Sequence, residues 1–235
     1  MDIPNTPALS YKFSSQKENI AFSTAFLKSN YNINIFLPQN HLCPTIPNRT
    51  NYIKWVSNLL LKYPLNLAEI IALDIGCGPS CIYPLLGITL NKNWSFLATD
   101  IDLNSVRIAN YNISLNNMEN KISTIHNTNP KTYFYPIRKN LDKSILAFSM
   151  CNPPFYSTEN EKSLLSSIKT PLNRSPAVST MSEKVTVGGE KCFLKNMIVE
   201  SVAFKNRIIW FTSMVGRKDT LDHILKLLKH HNASL

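Results

Sequence analysis

The stretch Leu73-Asp74-Ile75-Gly76-Cys77-Gly78-Pro79-Ser80-Cys81-Ile82 sets the reading of the whole chain. The short apolar run over residues 69–73 leads into it and reads as a buried strand. Gly76-Cys77-Gly78 then makes a tight turn, where backbone can approach a ligand that a Cβ would strike. A helix follows, with Ile82, Leu85 and Leu86 on its inner face. The alternation repeats downstream. Residues 94–99 are a second strand ending at Asp100, and Asp102 is placed to cap a helix with Val106, Ala109 and Ile113 inside. Residues 122–125, 144–151 and 207–214 are further strands, and residues 190–205 and 219–229 further helices. Strands alternating with helices predict an α/β fold around a mostly parallel sheet with right-handed crossovers. Ligands of such sheets bind beyond the carboxyl ends of the strands.

Upstream, Tyr52, Ile53, Trp55, Val56, Leu59 and Leu60 recur at helical spacing, so residues 51–61 form an amphipathic helix. Residues 1–45 read as an extension that is irregular or partly helical, and residues 46–235 as the main domain. Within that domain, residues 156–187 are rich in Ser, Thr, Pro and Asn and form a long loop, a length usually tied to function or disorder. The chain is 44% hydrophobic, which excludes wholesale disorder. No apolar run approaches the ~20 residues that cross a bilayer, so no membrane partner is expected. The five cysteines, at 43, 77, 81, 151 and 192, are odd in number and scattered, which speaks against a disulfide framework. No Cys/His cluster has zinc spacing, so no metal is expected either. Twenty-five Lys and Arg against 15 Asp and Glu leave +10, which points to a polyanion, nucleic acid first, or to a basic domain with no such partner.

Three chemically loaded positions fall on one sheet edge. The first is the glycine turn. A dinucleotide fingerprint would place a third glycine at 81, where this chain has Cys81, which leaves S-adenosylmethionine as the alternative ligand. The second is Asp100, whose carboxylate can accept hydrogen bonds from both hydroxyls of a ribose. The third is Asn152-Pro153-Pro154-Phe155 at the end of the fourth strand. Two prolines fix the chain with its carbonyls outward. The Asn152 side-chain oxygen and the Pro153 carbonyl can each accept one N–H of an exocyclic amine, which directs the nitrogen lone pair at a methyl donor. Phe155 supplies a face for base stacking, worth roughly 1–3 kcal/mol. No strong general base is required.

These motifs resemble those of S-adenosylmethionine-dependent amino-methyltransferases. The stretches 73–87, 96–102 and 150–155, together with Ile46-Pro47-Asn48-Arg49-Thr50-Asn51-Tyr52-Ile53-Lys54-Trp55 and Gly188-Gly189-Glu190, are similar to the methyltransferase-like protein 16 family. The resemblance covers about residues 46–216. It implies a Rossmann-like methyltransferase fold with S-adenosyl-L-methionine as cofactor. It also implies that Arg49 reaches the methionine carboxylate, Gly76 lies under the methionyl group, Asp100 holds the ribose, Thr132 lies near the cofactor adenine, and Asn152 lines the site. The catalytic set it implies is Asn152, Pro153, Pro154 and Phe155.

The family includes adenine-N6 methyltransferases of U6 small nuclear RNA, and a bacterial large-subunit ribosomal RNA enzyme is related to it. The resemblance therefore implies N6 methylation of an adenine in structured RNA, U6 first, by a nuclear or else cytoplasmic monomer. The alternatives are a guanine-N2 ribosomal RNA or protein glutamine-N5 methyltransferase, or a truncated, non-catalytic RNA-binding protein. RNA contacts are expected from Lys12, Lys17 and Lys28 in the extension and from Lys162, Lys169 and Arg174 in the substrate loop. Such a sheet normally closes with a seventh, antiparallel strand, and none follows the last helix, so that strand is expected to be missing.

Overall fold

In β1 (Ile70–Ile75) five of six residues are buried, and in β4 (Leu146–Cys151) all six are. Strands this apolar belong in the middle of a parallel sheet covered on both faces. The computed structural model describes residues 14–62, 69–141, 145–154 and 188–231. It places β1 and β4 side by side at the centre of a five-stranded sheet. The others are β2 (Trp94–Asp100), β3 (Ile122–His126) and β5 (Ile208–Phe211). The order is β3-β2-β1-β4-β5, and every pairing among the described residues is parallel.

Alternate residues of the strands feed two cores. Ala72, Phe96, Phe148 and Met150 face one cluster with α1 (Gln16–Tyr31), α2 (Ile46–Lys62), α3 (Ile82–Leu90) and α4 (Leu103–Ser114). Leu73, Ile75 and Cys151 face the other, with α6 (Gly189–Ser201) and α7 (Lys218–His230). The short α5 (Arg138–Leu141) follows a 3-10 turn at Tyr135–Ile137. At Gly87 the packing of α3 on β2 is so close that a Cβ would lie 2.7 Å from the Phe96 ring.

The sequence reading holds for the strand order along the chain and for the Asp102 cap, whose carboxylate accepts from Asn104 N and Ser105 N. Several boundaries differ. Helix α2 begins at Ile46 rather than 51, because Pro47 lies in its first turn, where a missing N–H costs nothing. The helix expected over 190–205 ends at Ser201 and tightens into a 3-10 turn, Val202–Phe204, that lays Phe204 against Phe134. Strand β5 stops at Phe211, although Thr212 N and Met214 N still donate to Ser149 O and Cys151 O. Strand β4 starts at Leu146, and residue 144 lies outside the described residues.

The described part of the segment before residue 46, residues 14–45, contributes to the first core. Leu27 of α1 is fully buried, and Ile33, Ile35 and Leu37 alternate inward from an extended run. Asn112 on α4 and Asn116 in the turn just after it hold that run. Asn116 Oδ1 accepts from Asn34 N and its Nδ2 donates to Asn34 O. Asn112, fully buried, accepts from Phe36 N at 2.7 Å and donates to both Phe36 O and Pro79 O. Its amide therefore ties the extended run, α4 and the glycine turn together. Replacing it with alanine strands backbone groups that no other partner satisfies. We expect Asn112→Ala to cost about 1–3 kcal/mol. Thermal unfolding followed by circular dichroism should then show a melting temperature several degrees lower.

Candidate active site

The register of the central strands assembles the site. Ile75 pairs with Thr99 on one side and with Cys151 on the other. The next residue of each strand, or the first beyond it, is Gly76, Asp100 or Asn152. These three leave the sheet side by side. Gly76 N and Cys77 N both donate to Thr99 O, at 2.8 and 3.0 Å, which folds the turn back over β2. Gly76 has φ +73°, a left-handed backbone, and no atom comes within 4 Å of where its Cβ would be. Open space over a positive-φ glycine is a cradle for a ligand. Cys81 takes φ +47° and is fully buried, so it keeps a glycine-like backbone at the position where a dinucleotide fold has glycine.

Asp100 braces this turn. Its Oδ2 accepts from Gly78 N at 2.8 Å and its Oδ1 from Asp102 N at 2.9 Å. Asp74 is different. It is fully buried and neither carboxylate oxygen has a hydrogen-bond partner, so it does not cap the turn. Burial first, and then the charge of Asp100, push its pKa up to about 8, while Arg49 pulls the other way. Arg49 comes from the first turn of α2. Its Nη1 donates to Tyr83 Oη at 2.7 Å, and its guanidinium lies 5.3 Å from the Tyr83 ring centroid. Tyr83 in turn donates to Met214 Sδ, and burial pushes its phenol up to about 12.

Asn152 extends past Cys151 with its Oδ1 buried and without a partner. A buried amide oxygen lacking a partner is costly, so it is a place where a donor on a ligand gains most. Pro153 is buried beside it. Thr132 lies on the same edge but its hydroxyl is engaged, donating to Asn129 O at 3.1 Å. Asn127 links that turn to the site, since Asn127 N donates to Asp100 O and Asn127 Nδ2 donates to Thr132 O. The nearest histidine in sequence, His126, is hydrogen-bonded to Ile101 O.

Arg49, Gly76, Asp100, Thr132, Asn152 and Pro153 thus share one edge, and Pro154 follows them. Phe155 lies outside the described residues, as do Lys12, Lys162, Lys169 and Arg174. Sequence reasoning missed the roles of Tyr83 and Met214 around Arg49, and of Glu190, fully buried, whose Oε1 accepts from Gly216 N at 2.6 Å. Glu190 stood in the Gly188-Gly189-Glu190 stretch, but nothing local pointed to Gly216. Together, the edge offers a cation for a carboxylate, two acidic groups for a positive centre or a ribose, and a free amide oxygen for an amine. Among the described residues no cluster of His, Cys, Asp and Glu could hold a metal, and no helix is long and apolar enough to cross a membrane.

A family model described as RNA methyltransferase matches residues 5–234, which reaches well into the amino-terminal segment. A U6 small nuclear RNA (adenine-(43)-N(6))-methyltransferase of Caenorhabditis elegans is 34% identical over 83% of this chain and 44% of its own length. The ribosomal RNA large subunit methyltransferase F of Flavobacterium johnsoniae is 35% identical over 89% of this chain and 70% of its own length. Among solved structures, the human METTL16 catalytic domain in complex with MAT2A 3′UTR hairpin 1 superposes with a TM-score of 0.83 at 32% identity, covering 94% of this chain and 74% of that one. The amino-terminal domain of human METTL16 in complex with SAH gives 0.75 at 31%, covering 94% and 75%. The chain spans less than half the length of the eukaryotic relatives it matches. It folds as a Rossmann-like methyltransferase domain, and it belongs to this RNA methyltransferase family.

Proposed function

We propose that this chain transfers a methyl group from S-adenosyl-L-methionine to the N6 amine of an adenine in structured RNA, with U6 small nuclear RNA as the first substrate and the nucleus as its place of work. The observation that carries this reading is the adjacency of Gly76, Asp100 and Asn152 at the central strand ends, with the Asn152 oxygen buried and free. The similarity to the worm U6 enzyme and to the RNA-bound human domain supports the substrate class. The residues present fit the cofactor. An open glycine cradle, a carboxylate-binding arginine and two acidic groups match its zwitterionic, positively charged and ribose parts.

When bound, the cofactor supplies the methyl group on a sulfonium sulfur. The chain's residues do the rest. Arg49 binds the carboxylate, with Tyr83 and Met214 fixing its guanidinium. Asp100 holds the ribose while keeping the turn in shape. Asn152 and Pro153 accept the two amine hydrogens of a flipped adenine, so its nitrogen lone pair is directed at the methyl group. Phe155 stacks on the base. A protein glutamine amide or a guanine amine would use the same acceptors. Labelled methyl transfer to total RNA followed by nucleoside analysis distinguishes these, and N6-methyladenosine is the expected product.

On the RNA side, Lys17 and Lys28 are both exposed and lie on one face of α1, about 16 Å apart. We assign phosphate contacts to them, to Lys12, and to Lys162, Lys169 and Arg174 of the substrate loop.

Three outcomes test this reading. By calorimetry, Asp100→Ala should weaken cofactor affinity, whereas Asn152→Ala should leave binding largely intact and cut transfer on the order of 100-fold or more. A near wild-type rate for Asn152→Ala would remove the amine-orienting role. For the charged pair on α1, Lys17→Glu with Lys28→Glu should flatten the slope of log RNA affinity against log salt by about 2. An unchanged slope would free α1 from RNA contact.

Asp74 gives the third outcome. A carboxyl whose pKa is about 8 folded and 3.8 unfolded weakens folding as pH rises through that interval. Its ionised form gains a partner only when a cation lies nearby. Asp74→Asn should therefore raise the melting temperature of the unliganded chain, more at pH 9 than at pH 5, and should lower cofactor affinity. Equal melting shifts at the two pH values would count against the buried, unpaired carboxyl.

A further inference from the structure

The Glu200 carboxylate, at the end of α6, accepts hydrogen bonds from three consecutive backbone N–H groups: Tyr133 N at 2.7 Å, Phe134 N at 2.9 Å and Tyr135 N at 2.8 Å. Such charge-assisted bonds are the strong ones, and three on one carboxylate leave little freedom to the chain that makes them. The side chains of the same three residues are bolted to the same region. Tyr133 meets Phe193 edge-on at 4.7 Å, Phe134 packs on Phe204 and Phe211, and Tyr135 meets Phe204 at 5.4 Å. Immediately before this clamp stands Thr132. Its other side is fixed through Asn127, whose N–H donates to Asp100 O. The loop after β3 is therefore pinned at two points, with Thr132 between them.

We propose that Glu200 is a positioning residue for the cofactor: it sets the height of the loop carrying Thr132 against Asp100, and so shapes the wall that the adenine of the cofactor meets. The inference rests on the reading of this edge as the S-adenosylmethionine site. Glu200 acts through backbone and touches no reacting group, so its loss alters cofactor binding rather than the transfer step. In the first turn of the same helix, α6, Glu190 holds Gly216 beyond β5. One helix thus carries a carboxylate for each flank of the site, and Glu200 serves the flank remote from Asn152.

The test uses the full chain with Glu200→Gln and Glu200→Ala. Glutamine keeps the size but offers one acceptor oxygen in place of two and turns an NH2 toward backbone donors. Titration of S-adenosylhomocysteine should show affinity about tenfold weaker in both variants. The KM for S-adenosylmethionine should rise by a similar factor, while kcat at saturating cofactor stays within about twofold, since no transition-state contact is removed. A purely structural role would lower the melting temperature and leave KM alone. Wild-type KM and wild-type S-adenosylhomocysteine affinity in folded Glu200→Gln would overturn the proposal, as would a loss confined to kcat. Failure of the wild-type chain itself to bind S-adenosylhomocysteine would overturn the underlying site reading, and that is visible before any variant is compared.

Discussion

Everything in this molecule depends on the register at Ile75, flanked by Thr99 and Cys151. A parallel sheet buried on both faces satisfies its backbone internally and offers free groups only where strands end. Because three neighbouring strands end at one level, a glycine turn, a carboxylate and an amide come together without any loop having to reach across the fold. A one-residue slip of β4 would reverse which of its side chains face each core. With Cys151 in one cluster and Phe148 and Met150 in the other, burial on both faces resists it.

The same architecture makes the site electrostatically expensive. Asp74 sits beneath the turn with no hydrogen bond, beside the acidic Asp100, and its neutral form is favoured. Folded proteins keep such a group at the cost of stability where a ligand compensates it. Arg49 provides part of that compensation, and Tyr83 and Met214 hold Arg49 in place. The arrangement is a prepared set of charges, incomplete in the protein alone.

Much of this was legible in the sequence, for physical reasons that differ from residue to residue. Asp102 announced itself as a cap because capping is local. Strands β1 and β4 showed as apolar runs, and Gly76 and Asn152 as punctuation at their ends. Asp74 stands in the opening stretch, but that its oxygens are unpartnered depends on what surrounds it in space. Tyr83 under Arg49 and Glu200 on residues 133–135 were invisible, since each joins segments far apart in the chain with no residue-type signal for the pairing. The docking of residues 33–37 on α4 was hidden for a related reason. Side-chain amides of Asn112 and Asn116 replace the partner strand that an alternating pattern normally announces.

The strand order also dictates a sequence of events in time. Ala72 pairs with Phe96, close along the chain, and with Phe148, far along it. Contacts between near segments close fast, whereas distant ones wait on a larger loss of chain entropy. During synthesis, β1, the glycine turn and β2 leave the ribosome together, long before Asn152 is made. The half of the edge built from Gly76 and Asp100 can form early, and the half that carries Asn152 arrives only when β4 inserts beside β1. Until then the apolar edge of β1 is exposed, so the nascent chain passes through a window in which the strand that later centres the sheet is its most aggregation-prone surface.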